Sequence, residues 1–260
     1  MIKRLVLLLT LVVSGSVYAL GTDNYSCPVI IAAAEIYLLA GSPASVYYQP
    51  ALIHKGVSLS HSIPHGFVEL NVIQLASQFS LFGEYISAGT LALNNKHISD
   101  KVLYLGYSKR IREIQFGTNV RYFAQKATGY NLLDAFTLNV GALWENGMFT
   151  HGITYSNISH TTRRGIELPS VFKYECKVAP FEKTDFAIAL EKETRFDMRY
   201  GFGVSQKIAD ILFVNSGFLT NPSQLSAGMI VKVNKLEIGY GMRTHRELNW
   251  THAIGVKYEL

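Results

Sequence analysis

From Gly56 to the C terminus, hydrophobic and polar residues alternate with a period of two. The final segment shows the pattern most clearly, because every second residue is glycine, alanine or polar. The apolar parity of that segment consists of Trp250, Ile254, Val256, Tyr258 and Leu260. Successive side chains of a β-strand point to opposite faces of a sheet, so this alternation predicts strands with one apolar face. No helical pattern of comparable strength follows residue 55, and the sequence predicts an all-β domain.

The breaks between these segments alternate between short turns and longer polar loops. Residues 234–235 and 145–147 are short breaks, whereas 244–249 and 157–169 are long ones. Only the break at 179–183 is longer than this order predicts. Short turns at one end and long loops at the other are typical of outer-membrane barrels. A soluble β-sandwich with Greek-key connections has no reason to sort its loops in this way.

Alternation alone does not decide whether the apolar face meets lipid or forms the core of a soluble domain. Four features favour a membrane barrel: an export signal, the sorted loops, a high content of Tyr (15) and Phe (14), and a last strand that ends on an apolar residue. That last strand has the pattern of a membrane-insertion signal. A soluble secreted β-domain remains the weaker alternative.

The chain divides into three parts. Residues 1–19 have the layout of a secretory signal peptide, with Lys3 and Arg4 before an apolar run and Ala19 at its end. Residues 20–55 form an N-terminal segment, and residues 56–260 form the barrel. These last 205 residues accommodate about 14 strands of roughly 9–11 residues each. The sequence thus predicts a transmembrane antiparallel β-barrel in the outer membrane of a diderm bacterium, with outer-membrane lipid as its surroundings.

Charge and composition exclude several other classes. Lys and Arg (24) exceed Asp and Glu (19) by only five scattered charges, so no nucleic-acid partner is expected. His61 and His65 lack further ligands, which predicts no metal site and no cofactor. Cys27 and Cys176 lie too far apart in sequence for a pairing to be inferred.

No catalytic residue is predicted, and the protein is not expected to be an enzyme. His151 and Ser156 superficially resemble a base and a nucleophile, but on one strand their side chains point to opposite faces. His160 follows in a loop.

The polar parity of the strands carries charges of both signs. In a membrane barrel this parity faces the interior, where isolated charges are costly, so these side chains are expected to pair across the lumen and with the N-terminal segment. The predicted lumen-lining residues are Arg121, Lys173, Glu175, Lys177, Arg199, Lys232, Glu237, Arg243, Lys257 and Glu259.

The N-terminal segment is too apolar to remain a solvated tail. Residues 32–40 predict a short helix, and glycines on the polar parity of the strands leave room for another backbone. We therefore expect the segment to enter the lumen near its periplasmic end as a plug. The predicted plug residues are Ala44, Ser45, Tyr47, Tyr48, Gln49, Pro50, Ala51 and Leu52.

These same residues carry a family resemblance. A small-residue helix followed by Ala44, Ser45, Tyr47, Tyr48, Pro50, Ala51 and Leu52 resembles the N-terminal motif of the PorV/PorQ-type outer-membrane proteins, relatives of the FadL-like transporters. Residues 116–122 and 134–143 also resemble strands of that family. Gln49 and Asn139 depart from it, since the family usually has Asn and Asp there.

The resemblance implies a 14-stranded barrel with an N-terminal plug. It also implies a role as an accessory or carrier barrel in type IX-like protein secretion, with secretion-system proteins as partners. The alternative that it implies is a conduit for a small hydrophobic solute.

Overall fold

The structure, a computed structural model, describes residues 27–95, 97–129, 133–163 and 166–260. The predicted signal peptide at residues 1–19 lies outside the described residues. Within them, no helix is both long and apolar enough to cross a membrane.

Fourteen strands of the described residues form a closed antiparallel barrel, which confirms the predicted fold class and strand number. The strands are β1 (Gly56–Ile63), β2 (Asn71–Leu81), β3 (Glu84–Asn94), β4 (Ile98–Ile111), β5 (Ile114–Ala127), β6 (Leu133–Asn146), β7 (Phe149–Ser156), β10 (Val171–Phe181), β11 (Thr184–Glu193), β12 (Arg199–Ala209), β13 (Leu212–Leu219), β14 (Gln224–Val233), β15 (Leu236–Arg243) and β16 (Thr251–Tyr258). Two short strands, β8 (Thr162–Arg163) and β9 (Ile166–Glu167), form a separate hairpin in the loop between β7 and β10.

Each barrel strand pairs with its neighbour in sequence, and β1 closes the barrel against β16. At this seam Leu59 lies opposite Val256, and Ser60 lies opposite Gly255. Closure pairs the edges of the sheet, so that backbone groups are hydrogen-bonded between strands, as a hydrocarbon environment requires.

The connections are sorted between the two ends of the barrel. Turns of two residues, such as 112–113 and 234–235, lie at the end that also holds Gly56 and Tyr258; we call this the turn end. Longer connections, such as 157–170 and 244–250, lie at the opposite end, which we call the loop end. The break at 179–183 fits this order after all, because β10 continues to Phe181 and leaves only two residues in the turn. A predicted turn boundary was wrong there because Pro180 is tolerated within a strand.

The two faces of the barrel differ as the alternation predicts. Large apolar side chains of the outward parity are exposed, with Leu103 at 55% and Leu105 at 62%. Their inward neighbours Val102 and Tyr104 are buried. A continuous exposed apolar surface of this kind is unfavourable in water and matches the lipid-facing band of a membrane barrel.

Residues 27–55 form what we call the inner segment. It contains the helices α1 (Pro28–Ala32) and α2 (Ser45–Tyr48), with a 3-10 turn at Tyr37–Leu39. The predicted single helix at residues 32–40 is wrong. Ala34 and Glu35 have φ angles of 51° and 59°, a left-handed conformation that ends α1 and reverses the chain.

The inner segment packs against the inward face of the barrel around most of its circumference. Pro50 lies against β4 and β5, Ala33 and Ala34 against β12 and β13, and Pro28 against β15 and β16. Glycine permits two of the closest approaches: a Cβ at Gly117 would overlap the carbonyl of Pro50, and one at Gly241 would overlap that of Pro28. A segment that touches strands on opposite sides of a closed barrel lies in its interior.

Candidate functional site

Glu35 is the centre of a buried ionic cluster at the point of the inner segment nearest the loop end. Its carboxylate accepts from Arg243 and from Arg199, with 3.1 Å between Arg199 Nη2 and Glu35 Oε2. Lys173 donates to the Glu35 backbone carbonyl. Burial alone would raise the pKa of Glu35, but Arg199, Arg243 and Lys173 outweigh it and lower the pKa to about 2.

Two further acidic residues complete the cluster. Glu191 accepts from Arg199 at 2.8 Å and lies 3.5 Å from Lys173 Nζ. Glu175, 3.4 Å from the same Lys173 nitrogen, accepts from the backbone nitrogens of Tyr37 (2.9 Å) and Leu38 (3.2 Å). Three strands, β10, β12 and β15, are therefore joined to the inner segment through charge-assisted hydrogen bonds, which are the stronger class.

The second half of the inner segment is held mainly by neutral hydrogen bonds. Asn119 Nδ2 donates to the carbonyls of Val46 and Tyr47 at 3.0 Å each, and Arg121 donates to Tyr47 while its guanidinium lies 3.9 Å from the Tyr47 ring centroid. Gln49 Nε2 donates to the carbonyl of Ile153 at 3.1 Å.

Closer to the turn end, Ser108 Oγ donates to Pro50 at 2.8 Å and Gln78 Nε2 donates to Leu52 at 3.0 Å. Ser108 is only three residues from the end of β4 at the turn. All eight residues named from the sequence as a plug are buried.

A row of buried amides connects the inner segment to the longest loop. Asn139 Nδ2 donates to Asn119 Oδ1 at 2.6 Å, and the Asn157 backbone nitrogen donates to Asn139 Oδ1 at 2.8 Å. Asn157 Nδ2 in turn donates to the carbonyl of Leu168 at 2.7 Å. Each amide uses both its donor and its acceptor, so the row has a single favourable arrangement.

The remaining charges named from the sequence lie towards the turn end. Lys232 contacts Glu237 (3.2 Å) and Glu259 (2.9 Å), and Lys257 contacts the same two carboxylates at 3.2 and 3.0 Å. Lys257 also donates to the carbonyl of Gly41 at 2.8 Å. Lys177 lies 3.9 Å from Asp185. Eight of the ten predicted lumen residues thus form two groups of four, one around Glu35 and one around Lys232 and Lys257, while Arg121 contacts Tyr47 and Lys177 contacts Asp185.

The residues named as a membrane-insertion strand all lie on the outside. Trp250, Ile254, Val256, Tyr258 and Leu260 are each exposed. Strand β16 itself covers only residues 251–258, so Trp250 and Leu260 flank it.

Glu35 is the central residue of the ionic cluster, and it was not predicted from the sequence. The signal was a single carboxylate within the otherwise apolar stretch 29–40, where a charge is rarely kept without a partner. Its partners are far away in sequence, and only the closed barrel brings them together.

A cavity of about 570 Å³ lies between the inner segment and the loops at the loop end. Glu35, Tyr37 and Tyr48 of the inner segment line it, and the barrel contributes many polar side chains. The charged residues that line it on the barrel side are Arg121, Lys173, Glu191, Glu193, Asp197, Arg199 and Arg243. The cavity is within the size range of small-ligand sites, but its lining is far more polar than is usual for an apolar ligand.

The remaining candidates for site chemistry are histidine and cysteine side chains. No group of three His, Cys, Asp or Glu side chains there is placed to hold a metal ion. Cys27 and Cys176 are both free thiols. His151 bonds through Nδ1 to the Tyr174 hydroxyl at 2.9 Å and stacks on Trp144.

Comparison with known proteins gives a limited result. No family model and no curated protein matches the sequence. Among solved structures, two substituted variants of the Rhodopseudomonas blastica porin are similar in shape, with TM-scores of 0.48 and 0.47. Each is 7% identical and covers 79% of this chain and 98% of the porin chain.

Proposed function

We propose that this protein is an outer-membrane barrel whose lumen is closed by its own inner segment. The observation that carries the proposal is the hydrogen-bonded and ionic contact of that segment with strands around the barrel, from β2 to β16. A barrel filled in this way is unsuited to free diffusion of solutes. Its exposed apolar band supports a location in lipid.

A closed barrel fits an accessory or carrier role, as the resemblance to the PorV/PorQ-type proteins implies. We therefore propose that it serves protein secretion of the type IX-like kind, with secretion-system proteins as partners. Comparing the exported proteins of a strain that lacks this barrel with those of its parent tests this role. Unchanged export with a folded barrel in the parent would exclude it.

A conduit for a small hydrophobic solute is the second candidate, and the cavity provides its only specific support. The charged lining argues against it, since an apolar solute would have to displace water from Arg121, Lys173 and Glu191 without replacing their hydrogen bonds. Uptake or growth on an apolar carbon source distinguishes the two candidates.

Planar-bilayer conductance tests the closure itself. We expect the full chain to show little conductance and a chain that lacks residues 28–52 to show large, stable openings. Heat-modifiable gel mobility verifies that both barrels are folded and membrane-inserted. Equal conductance of the two folded barrels would overturn the proposal.

A further inference from the structure

Two lysines lie together on the outward face of the barrel near the loop end. Lys101 is on β4, Lys126 is on β5, and both are exposed. Lys126 lies opposite Ser99, the residue two positions before Lys101 on the same face of β4. Diagonal neighbours of this kind are about 7–8 Å apart at the backbone, so the two long side chains are within reach of one ligand.

Neither ammonium group forms an ion pair or a hydrogen bond with a residue that the structure describes. Two other lysines of the outward face are already used: Lys109 pairs with Glu84 at 2.7 Å, and Lys192 donates to the carbonyl of Phe196. Lys101 and Lys126 therefore remain available to an anion from outside the chain.

Asp134 is a carboxylate on the same part of the outward face. It lies on β6 at the level of Lys101, with Ala124 of β5 between them. Adjacent strands are about 4.8 Å apart, so the backbones of Asp134 and Lys101 are about 10 Å apart. The Asp134 carboxylate accepts from the Tyr122 hydroxyl at 3.3 Å. Together with the two lysines it leaves this part of the face positive.

Lysines mark both ends of the lipid-facing band on β4. Lys101 and Lys109 share the outward parity and are eight positions apart, with Leu103, Leu105 and Tyr107 between them. At about 3.4 Å per residue and a tilt of roughly 35–45°, this separation is roughly 19–22 Å along the membrane normal. The apolar band of such barrels is about 25 Å tall. Lys101 therefore lies at the level of the lipid headgroups at the loop end.

Directly below the two lysines the outward face is apolar and aromatic. Leu103 lies opposite Tyr122, and Tyr122 lies opposite Phe136. Leu103 is 55% exposed and Phe136 is 60% exposed, and the ring centroids of Tyr122 and Phe136 are 4.8 Å apart. A positive edge next to an exposed apolar surface is complementary to a molecule with an anionic head and apolar chains.

We propose that Lys101 and Lys126 bind the phosphate of an anionic lipid in the outer leaflet, whose acyl chains lie on Leu103, Tyr122 and Phe136. Each ammonium group donates charge-assisted hydrogen bonds to phosphate oxygens. Long loops are extracellular in outer-membrane barrels, which places the site in the outer leaflet. A free phosphate would leave the apolar surface without a partner, so the observations favour a lipid. The proposal rests on the proposed outer-membrane location and not on the closure of the lumen.

Native mass spectrometry of the full chain, released from micelles of an uncharged detergent, tests the proposal. The probes are lipid A, dioleoyl phosphatidic acid, dioleoylglycerol and inorganic phosphate, each titrated separately. We expect both phosphate-bearing lipids to bind roughly 25-fold more tightly than dioleoylglycerol, since each of the two lysines contributes about fivefold at an anionic lipid. Dioleoylglycerol has the acyl chains of the phosphatidic acid without its phosphate. Equally tight binding of dioleoylglycerol, or binding of inorganic phosphate as tight as that of the lipids, would overturn the proposal.

Single variants locate the site. Lys101→Gln and Lys126→Gln are each expected to weaken the binding of phosphatidic acid about fivefold. Asp134→Asn removes a neighbouring negative charge and is expected to strengthen the binding. Lys192→Gln is the matched control, because Lys192 is an exposed lysine of the outward face that belongs to β11. Its replacement is expected to leave the affinity unchanged.

An equal loss in Lys192→Gln would show attraction to any surface lysine and would overturn the site, as would unchanged affinity in both Lys101→Gln and Lys126→Gln. All four side chains are exposed, so the variants are expected to fold, and heat-modifiable gel mobility verifies that they do. Insertion of the parent chain into lipid vesicles is measured separately. An inserted barrel that binds no phosphate-bearing lipid refutes this inference and leaves the membrane location intact, whereas a chain that fails to insert refutes both.

Discussion

Replacement of Glu35 by glutamine is expected to detach the inner segment from the barrel. Glu35 and Arg243 are each about 3% exposed in their side chains, so the change removes the carboxylate that this buried guanidinium contacts. Breaking a buried ion pair from one side costs about 3–5 kcal/mol. Arg199 and Lys173 keep their contacts with Glu191, so the loss of docking free energy is not larger than this.

This free energy corresponds to a roughly 140- to 3,700-fold shift in the equilibrium between the docked and the released segment, since about 1.4 kcal/mol is a factor of ten. Chymotrypsin cleavage after Tyr37 and Tyr47 measures release, because both sites are buried when the segment is docked. Planar-bilayer conductance measures opening on the same preparation. Both are expected to increase strongly in Glu35→Gln.

The matched control is the double variant Glu35→Gln with Arg243→Gln. Removing both partners leaves no unpaired charge, so docking is expected to recover much of what the single variant loses. If Glu35→Gln is cleaved no faster and conducts no more than the parent, the ionic cluster does not hold the segment and the reasoning fails.

Further predictions concern pH, the two faces and the close approach at Gly117. Because the pKa of Glu35 is lowered to about 2, its ionised carboxylate stabilises the docked segment fully above the ordinary pKa of 4.5, and this stabilisation is lost as the pH falls through 2. Conductance is therefore expected to stay low at pH 7 and pH 4. Opening near pH 5–6 would contradict this. Phe202→Lys, on the exposed apolar face, is expected to lower the free energy of unfolding by about 2–4 kcal/mol, measured by urea denaturation in lipid vesicles. Ser205→Lys, of the inward parity, is expected to lower it little. Equal losses in the two variants would refute the assignment of faces. Gly117→Ala is expected to displace Pro50 and to increase chymotrypsin cleavage of the inner segment. Gly41→Ala is the control, because Gly41 has open space around it and cleavage is expected to stay the same. Equal cleavage of the two variants would show that the close approach at Pro50 is unimportant.

The barrel could be predicted from the sequence because its rules are local. Alternation along each strand assigns a face to every residue, and the order of short and long breaks assigns each connection to an end. The strand count followed from length alone. Some boundaries were misplaced by a few residues: β6 continues to Asn146, inside the predicted break at 145–147, and β10 continues past Pro180 to Phe181.

The contacts inside the barrel were harder to predict from the sequence. Composition indicated that residues 20–55 would not remain a solvated tail. The left-handed turn at Ala34 and Glu35 was not predictable, because it contains no glycine, the residue that usually marks such a turn. The partners of Glu35 come from β10, β12 and β15, more than 130 residues away. Sequence spacing carries no information about contacts made through closure of a barrel.

The last three residues of the inner segment, 53–55, join its buried part to β1 at the turn end. Three residues reach at most about 10 Å, so the end of the buried part at Leu52 stays close to the turn end even when the rest of the segment is displaced. It also stays anchored beside its site, at an effective concentration on the order of millimolar, and returns readily once the disturbance ends. A segment released from the ionic cluster near the loop end would therefore remain a tethered peptide whose covalent attachment lies at the opposite end of the barrel.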